Sequence, residues 1–372
     1  MFPPTKRLAA LGLAVLAFAA CEDNPTTPEA DVLGSRGTQA EARGAAKINL
    51  NRGAVYSMSN AREGNVVVAF SRAPDGRLTR AGDFPTGGTG SGSFEDTANG
   101  LVLASTEVEA SPNNLSGNGK FLFATNAGSN SITVFRVEKD GLRTVEVQES
   151  GGEKPVSVTI ANGLLYVLHS GETNDDLIPE NCTSGELPTI TGFRVANDGS
   201  LSPIAGSTRT LSEDPFSGCA QVSFAPGGDV LVVSEREAEV LPGQTDNEMD
   251  DAGDEGVLVT FTVNADGTLG NKQIFDATGE GPFGFTFTRS GTLVLTEQQD
   301  GPAGPGRGSA STYAVGSDGT LTPTSGSVGN GGTDTCWFVV TNDGKLAFAA
   351  SFFPDARISS YRVGNDGSLS LI

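Results

Sequence analysis

Short runs of alternating apolar and polar residues follow one another along this chain, and none of them sustains a helical period. The stretch 190–201, ITGFRVANDGSL, shows the unit: Phe193 and Val195 alternate with polar positions, and Asp198-Gly199 follows. An Asp-Gly pair is typical of a tight hairpin turn, because glycine accepts a positive φ at little steric cost. The pattern predicts two antiparallel strands joined at Asp198-Gly199.

The same unit recurs, and in every copy an aromatic residue precedes the Asp by five positions. The six copies are Phe70/Asp75, Phe135/Asp140, Phe193/Asp198, Phe261/Asp266, Tyr313/Asp318 and Tyr361/Asp366, each Asp followed by glycine. Successive Asp residues lie 65, 58, 68, 52 and 48 positions apart, so a core unit near 48 residues carries loops of variable length. That period suits a four-stranded propeller blade. The sequence therefore predicts an all-β fold, a β-propeller with six visible repeat units.

Each unit reads as an inner strand A, then strands B and C, then an outer strand D after the Asp-Gly turn. The A–B and C–D turns are short, whereas long insertions such as 171–188 and 236–255 fall at B–C or D–A positions. Turns of a meander alternate between its two faces, so the long loops share one face. Because binding residues concentrate on long loops, we expect this long-loop face to be functional. Unit one lacks a convincing A strand, and residues 47–50 are the one candidate.

The chain begins like a bacterial lipoprotein. Residues 1–20 join an early cationic pair to an apolar run too short for a membrane span, which predicts a secretory signal peptide. The run ends in Phe18-Ala19-Ala20-Cys21, which resembles the lipoprotein processing box and implies acylation of Cys21. An ordinary signal with a chance cysteine is the alternative. Residues 21–46 read as a flexible tether and 47–372 as the propeller, so we expect an extracytoplasmic, lipid-anchored protein, periplasmic or at the cell surface.

The three remaining cysteines, Cys182, Cys219 and Cys336, predict one disulfide and one free thiol in an oxidising compartment. Cys182 lies in the B–C insertion of unit three and Cys219 at the start of unit four, both on the long-loop face. We therefore expect a Cys182–Cys219 disulfide. Cys336 is taken to occupy the same repeat position as Cys219 two units away, too far round the ring for easy bridging, and to be a buried thiol.

Inner strands such as PVSVTI from Pro155 and cassettes such as ISSYRVGNDGSL from Ile358 resemble the seven-bladed β-propeller lactonase family. That family includes 6-phosphogluconolactonase-type and carboxymuconate lactonising enzymes. The resemblance covers about residues 50–372 and implies hydrolysis of a sugar or related lactone. Six cassettes stand where the family has seven, so the ring has six blades or is C-terminally incomplete by about one. We expect the second, because an open ring exposes a sheet edge.

Lactone hydrolysis needs an activated water, a donor for the developing oxyanion and a proton for the leaving alkoxide. The B-strand ends are one repeated position near the funnel, occupied by Asn60, Asn126, His169, Glu235, Glu297 and Ser351. His169 is the one histidine in the chain, so it is the candidate imidazole base. Glu235, Arg236 and Glu297 are the candidates for a base and an anion-binding group. A structural histidine and solvated loop-edge charges are the alternatives.

The remaining signals narrow the partners. A net charge of −21 without a basic cluster argues against a nucleic-acid partner. No G-x-S-x-G elbow and no His pair at metal spacing is present, and the acidic stretch 246–256 lacks the Gly and Glu of an EF-type loop, so no cofactor or metal is predicted. Two classes stay open: a lactonase acting on a small-molecule lactone or carbohydrate, and a non-enzymatic propeller, also a monomer, that binds a protein or glycan.

Overall fold

The computed structural model describes residues 53–92, 97–104, 121–171, 187–214, 217–236, 256–299, 304–353 and 356–372. They all fall within one compact unit, Ala46–Ile372. The signal peptide, Cys21, the tether, residues 47–50, Cys182 and nearly all of the acidic stretch lie outside the described residues. Every regular element among the described residues is a β-strand. No helix in these ranges is long and apolar enough to cross a membrane.

The strands of the first three blades are antiparallel and follow chain order from the inner edge outward. Blade 1 contains β1 (Ala54–Met58), β2 (Val66–Arg72) and β3 (Leu78–Pro85). Blade 2 contains β4 (Leu101–Ala104), β5 (Phe121–Asn126), β6 (Ser131–Glu138) and β7 (Gly141–Glu149). Blade 3 contains β8 (Pro155–Ala161), β9 (Leu164–His169), β10 (Thr189–Val195), β11 (Leu201–Pro203) and β12 (Arg209–Thr210).

The other three blades repeat the four-stranded order without interruption. Blade 4 contains β13 (Cys219–Phe224), β14 (Val230–Glu235), β15 (Val257–Val263) and β16 (Leu269–Asp276). Blade 5 contains β17 (Pro282–Phe287), β18 (Leu293–Glu297), β19 (Ser309–Val315) and β20 (Leu321–Gly329). Blade 6 contains β21 (Thr333–Val340), β22 (Leu346–Phe353), β23 (Arg357–Val363) and β24 (Leu369–Leu371).

Two blades depart from the four-strand rule. In blade 3, β11 and β12 both pair with β10, so the outer D strand is a single path in two pieces. In blade 1 the described sheet begins with strand B, and β1 forms its inner edge. The predicted A–B–C–D order is confirmed in blades 2 to 6, and the chain folds as an all-β propeller.

In blades 2 to 6 the aromatic residue of the cassette is buried against the preceding blade. Phe193 of blade 3 packs with Phe121 and Phe123 of blade 2. Phe261 of blade 4 packs in the same way with Tyr166 of blade 3. The inner strands β4, β8, β13, β17 and β21 contact one another in sequence. The recurring aromatic is therefore the side chain that joins one sheet to the sheet before it.

Blades 1 and 6 each have one face that no described blade covers. Val339 and Ile358 of blade 6 lie on the side away from blade 5 and are 52% and 69% exposed. Phe70, the cassette aromatic of blade 1, is half-buried, whereas Phe135 and Phe193 are fully buried. The same repeat position is thus buried only where a preceding blade is described.

The Asp-Gly turns join strands C and D and show why aspartate recurs. The Asp198 carboxylate accepts the backbone N–H of Ser200 at 3.0 Å, and Gly199 has φ +95°. The same contact recurs at 3.0 to 3.1 Å at Asp75, Asp266, Asp318 and Asp366. Hydrogen bonding from Ser200 lowers the pKa of Asp198 below its ordinary value. Aspartate therefore closes the turn that glycine bends.

These turns also join neighbouring blades. Arg136 of blade 2 donates to the carbonyl of Asp198 in blade 3 at 3.1 Å. Thr260 of blade 4 donates to the carbonyl of Gly319 in blade 5 at 2.7 Å. The short-turn face is thus held together blade by blade, and the opposite, long-loop face is left for the site.

Candidate functional site

The predicted residues lie where the B strands end on the long-loop face. His169 is in register with Pro155 and Thr189. Glu235 and Glu297 occupy the same register in blades 4 and 5, opposite the first residues of β13 and β17. All three side chains are buried, with relative exposures of 1%, 0% and 0%. The three residues therefore share the expected repeat position at the ends of the B strands, but their side chains are buried between blades.

His169 is enclosed by protein groups. Its Nε2 donates to the carbonyl of Ser150 at 3.1 Å, which leaves Nδ1 to accept from the Thr189 hydroxyl at 3.5 Å. A Cβ added to Gly152 would come within 2.6 Å of the imidazole ring, so the ring packs on that backbone. Burial lowers the pKa of His169 to about 4, so the imidazole is neutral at neutral pH.

Glu235 contacts the connection that follows blade 3. Its two carboxylate oxygens accept the backbone N–H and the hydroxyl of Ser212, both at 3.0 Å. Burial raises the pKa of Glu235 to about 7, and the hydrogen bonds from Ser212 oppose that rise. A carboxyl group with this pKa exchanges its proton near neutral pH.

Glu297 makes the equivalent contacts one blade further on. Its carboxylate accepts the hydroxyls of Thr278, at 3.2 Å, and of Ser309, at 2.5 Å. Thr278 lies in the connection between blades 4 and 5, as Ser150 and Ser212 lie in the two connections before it. In blades 3, 4 and 5 the B-strand end thus binds the connection arriving from the preceding blade. Within the described residues no hydrogen bond joins His169, Glu235 and Glu297 to one another.

Arg236 begins a buried network that the three predicted acid–base residues do not share. Its Nε donates to the carbonyl of Gly218 at 3.0 Å, and its Nη1 donates to Oε1 of Gln298 at 3.4 Å. Gln298 Nε2 in turn donates to Oδ1 of Asp334 at 3.0 Å. The Cys336 thiol donates to the same oxygen at 3.2 Å. We call these four residues the polar bridge; it crosses blades 4, 5 and 6.

Sequence reasoning missed Gln298 and Asp334. Gln298 follows its B strand as Arg236 does, and Asp334 is the second residue of the inner strand β21. The matching residues in blades 3, 4 and 5 are Lys154, Gly218 and Gly281, with φ +54°, +58° and +62°. Asp334 has φ +54°, so an aspartate occupies a conformation that glycine adopts more easily. Lys154 and Asp334 are the non-glycine residues at this position, and because strained non-glycine residues concentrate at functional sites, the aspartate is a signal for one.

The structure corrects the assigned position of Cys336. A bulge between Thr335 and Trp337 places Thr335 opposite Ser351, as Cys219 lies opposite Glu235. Cys336 therefore occupies the repeat position of Ala220 and not that of Cys219, and it packs with Ala220. Cys336 is buried and forms no disulfide. Cys219 is disulfide-bonded, and because Cys182 lies outside the described residues, the Cys182–Cys219 pairing stays a prediction.

The segment 97–99 packs across the inner strands near the polar bridge. The Thr97 hydroxyl donates to the carbonyl of Val156 at 3.4 Å, and the Ala98 N–H donates to the carbonyl of Ala220 at 3.0 Å. Trp337 Nε1 donates to the carbonyl of Thr97 at 3.5 Å. These partners belong to the inner strands of blades 3, 4 and 6, so the segment lies where the inner strands converge.

Two other features bear on the position of the site. In the part of the chain that the structure describes, no group of three or more His, Cys, Asp or Glu side chains is placed to hold a metal ion. A cleft of about 340 Å³ opens between blades 4 and 5, lined in part by Pro226, Asp229, Arg289 and Gly316. It lies at the short A–B and C–D turns, away from the polar bridge.

Comparison with known proteins gives a family for part of the chain. Residues 104–198 match the model of the seven-bladed β-propeller lactonases. An uncharacterized protein of Staphylococcus aureus (strain bovine RF122 / ET3-1) is 29% identical over 116 residues, which is 29% of this chain and 34% of that protein. The chain thus matches about a third of the length of such curated relatives.

Solved structures support the fold over a longer stretch. The periplasmic gluconolactonase of Pseudomonas aeruginosa superposes with a TM-score of 0.54 at 15% identity, over 86% of this chain and 81% of that one. A protein from Lactobacillus plantarum gives a TM-score of 0.55 at 14% identity, over the same two shares. At these identities the likeness shows the fold alone. The chain is a β-propeller that resembles the seven-bladed β-propeller lactonase family, with residues 104–198 carrying the match.

Proposed function

We propose that this protein hydrolyses a sugar lactone or a related lactone at the long-loop end of its inner strands. The observation that carries the proposal is the consecutive pair Glu235-Arg236 at the end of β14. One residue has a pKa raised to about 7 by burial. The other is a buried guanidinium at the start of the polar bridge. The family resemblance supports a lactone as the substrate class.

The two side chains divide the reaction between them. Glu235, as carboxylate, takes a proton from the water that attacks the lactone carbonyl carbon. Arg236 donates hydrogen bonds to the oxyanion that forms on the carbonyl oxygen. Collapse of the tetrahedral intermediate breaks the ring C–O bond, and the leaving alkoxide takes the proton held by Glu235, which gives the hydroxy acid and restores the carboxylate. Because Ser212 holds both oxygens of Glu235, this role requires a water to replace one of those contacts.

His169 and Glu297 are the weaker candidates from the same repeat position. Like Glu235, each is buried with both polar atoms bound to protein groups, but Ser170 and Gln298 follow them where Arg236 follows Glu235. A neutral imidazole with a pKa of about 4 is a poor base at pH 7. We assign both residues to holding blade junctions and keep them as variants in the test.

The test is hydrolysis of a panel of sugar and aliphatic lactones by the native protein and by Glu235→Gln, His169→Ala and Glu297→Gln. We expect Glu235→Gln to lose at least ~100-fold in kcat, because the general base is removed. His169→Ala and Glu297→Gln should lower the melting temperature but leave most of the native kcat. No hydrolysis by the native protein, or activity indifferent to Glu235→Gln, rejects the assignment.

Burial of all three predicted acid–base groups favours a second function, a propeller that binds a protein or glycan without catalysis. In that case the same substitutions lower the stability of the fold, and neither the variants nor the native protein hydrolyses a lactone. Glycan-array binding by the native protein, combined with a silent lactone panel, is the result that selects this function.

A further inference from the structure

We infer that Gln298 and Asp334 are positioning residues that hold the Arg236 guanidinium in place. The inference rests on the proposed function for its catalytic meaning. Its structural part, the fixing of Arg236, stands on contacts of described residues alone. Neither residue is assigned by the resemblance or by the sequence patterns.

The hydrogen bonds define which end of the Gln298 amide faces which partner. Arg236 Nη1 can only donate, so it selects the amide oxygen, Oε1, at 3.4 Å. The opposite end, Nε2, then donates to Oδ1 of Asp334 at 3.0 Å. Because a carboxylate only accepts, Asp334 fixes the amide with its oxygen toward Arg236. Asp334 thus acts on Arg236 through Gln298.

Asp334 is itself fixed on more than one side. The Cys336 thiol donates to its Oδ1 at 3.2 Å. Its backbone has φ +54°, so the segment around it holds the residue in a conformation that costs free energy. Arg236, Gln298, Asp334 and Cys336 have relative exposures of 6%, 5%, 7% and 1%, so water competes little for these contacts. A donor held this firmly keeps its geometry for an oxyanion.

The first measurement follows the Arg236 Nε–H directly and needs no enzymatic activity. In ¹⁵N-arginine-labelled protein the resonance is assigned by its loss in Arg236→Lys. We expect hydrogen exchange at this group to accelerate at least ~10-fold in Gln298→Leu and in Asp334→Ala, because the guanidinium loses its fixed neighbour.

A swap of the two functional groups is the decisive variant. Gln298→Glu alone places two carboxylates together and should lose protection of the Nε–H. Gln298→Glu combined with Asp334→Asn restores one donor and one acceptor, with the new carboxylate still accepting from Arg236. We expect the double variant to recover protection and kcat/KM to within ~3-fold of native, which a purely additive structural effect would not do.

Gln221→Leu is the matched control. Gln221 is an equally buried glutamine that joins blades 4 and 5 through both backbone groups of Phe285, at 2.8 and 3.1 Å. Its loss should lower the melting temperature and leave the Arg236 Nε–H protected. Unchanged exchange in Gln298→Leu and Asp334→Ala, or a double variant no better than Gln298→Glu, overturns the inference. If the native protein hydrolyses no lactone, the proposed function fails and the exchange measurement alone decides whether Gln298 and Asp334 fix Arg236.

Discussion

His169 and Glu235 occupy the same repeat position, but burial moves their pKa values in opposite directions. Burial disfavours the charged form of each, which is the cation for the imidazole and the anion for the carboxyl. The pKa of His169 falls to about 4 and that of Glu235 rises to about 7. The two residues therefore make opposite contributions to the pH dependence of stability, and each variant serves as the control for the other.

For His169 the folded pKa lies below the ordinary value of 6.5, so between about pH 4 and 6.5 the unfolded chain binds more protons. This group makes the native protein less stable as pH falls through that window. We expect His169→Asn to remove a dependence of ~3 kcal/mol, measured as the free energy of unfolding in urea at pH 4 to 7. Parallel pH profiles of the variant and the native protein would show that the ring is not buried as described.

For Glu235 the folded pKa lies above the ordinary value of 4.5, so between about pH 4.5 and 7 the native protein binds more protons. This group makes the native protein less stable as pH rises through that window. The free energy of unfolding of Glu235→Gln, relative to that of the native protein, should therefore rise by ~3 kcal/mol between pH 4.5 and pH 8. A relative gain toward acid pH would contradict the assignment.

At the scale of the element, the C–D turn combines two demands on glycine. Gly199 has φ +95°, and a Cβ there would come within 2.3 Å of the Phe121 ring in the preceding blade. Gly291 lies in the A–B turn of blade 5 and has φ +89°, but a Cβ there would meet open space. The pair separates backbone strain from steric contact between blades.

We expect Gly291→Ala to cost ~1 kcal/mol of unfolding free energy, because only the positive φ opposes it. Gly199→Ala should cost ~1–3 kcal/mol more, because the new methyl group overpacks the blade junction. Urea unfolding of both variants measures the difference. Equal losses would mean that Gly199 serves the turn alone and that the blades adjust freely.

Elements were predictable where their cause is local, and site contacts were not. The turn at Asp198-Gly199 follows from the chemistry of two adjacent residues, so its recurrence revealed the blades. The contact between Gln298 and Asp334 joins two blades and has no period of its own. Cys336 was misplaced by one position although the sequence shows the offset, because five positions separate it from Thr341 at the A–B turn whereas six separate Cys219 from Ala225. The orientation of the His169 ring likewise depends on a contact between blades, with Ser150 in the connection that arrives from blade 2.

At the scale of the whole molecule, we propose that acylation of Cys21 anchors the propeller to a bacterial membrane through the tether 21–46. The proposal rests on the processing box in the sequence, since these residues lie outside the described ranges. Cys21→Ser should move the protein from the membrane fraction to the soluble fraction, as measured by fractionation and immunoblotting. Continued membrane association of the variant would reject the anchor. Cys336→Ser, a change at the buried thiol, is the control and should leave the distribution unchanged.

We propose that the lactone reacts beside Arg236 at the long-loop end of the propeller. The most direct measurement compares kcat/KM for lactone hydrolysis in native protein, Arg236→Ala and Arg194→Ala. Arg194 is an exposed arginine that donates to the carbonyl of Asp266 on the short-turn face. We expect kcat/KM to fall ~100-fold or more in Arg236→Ala, as for removal of one oxyanion donor, and to stay at the native value in Arg194→Ala. Equal activity of both variants, or native protein no faster than buffer, would contradict it.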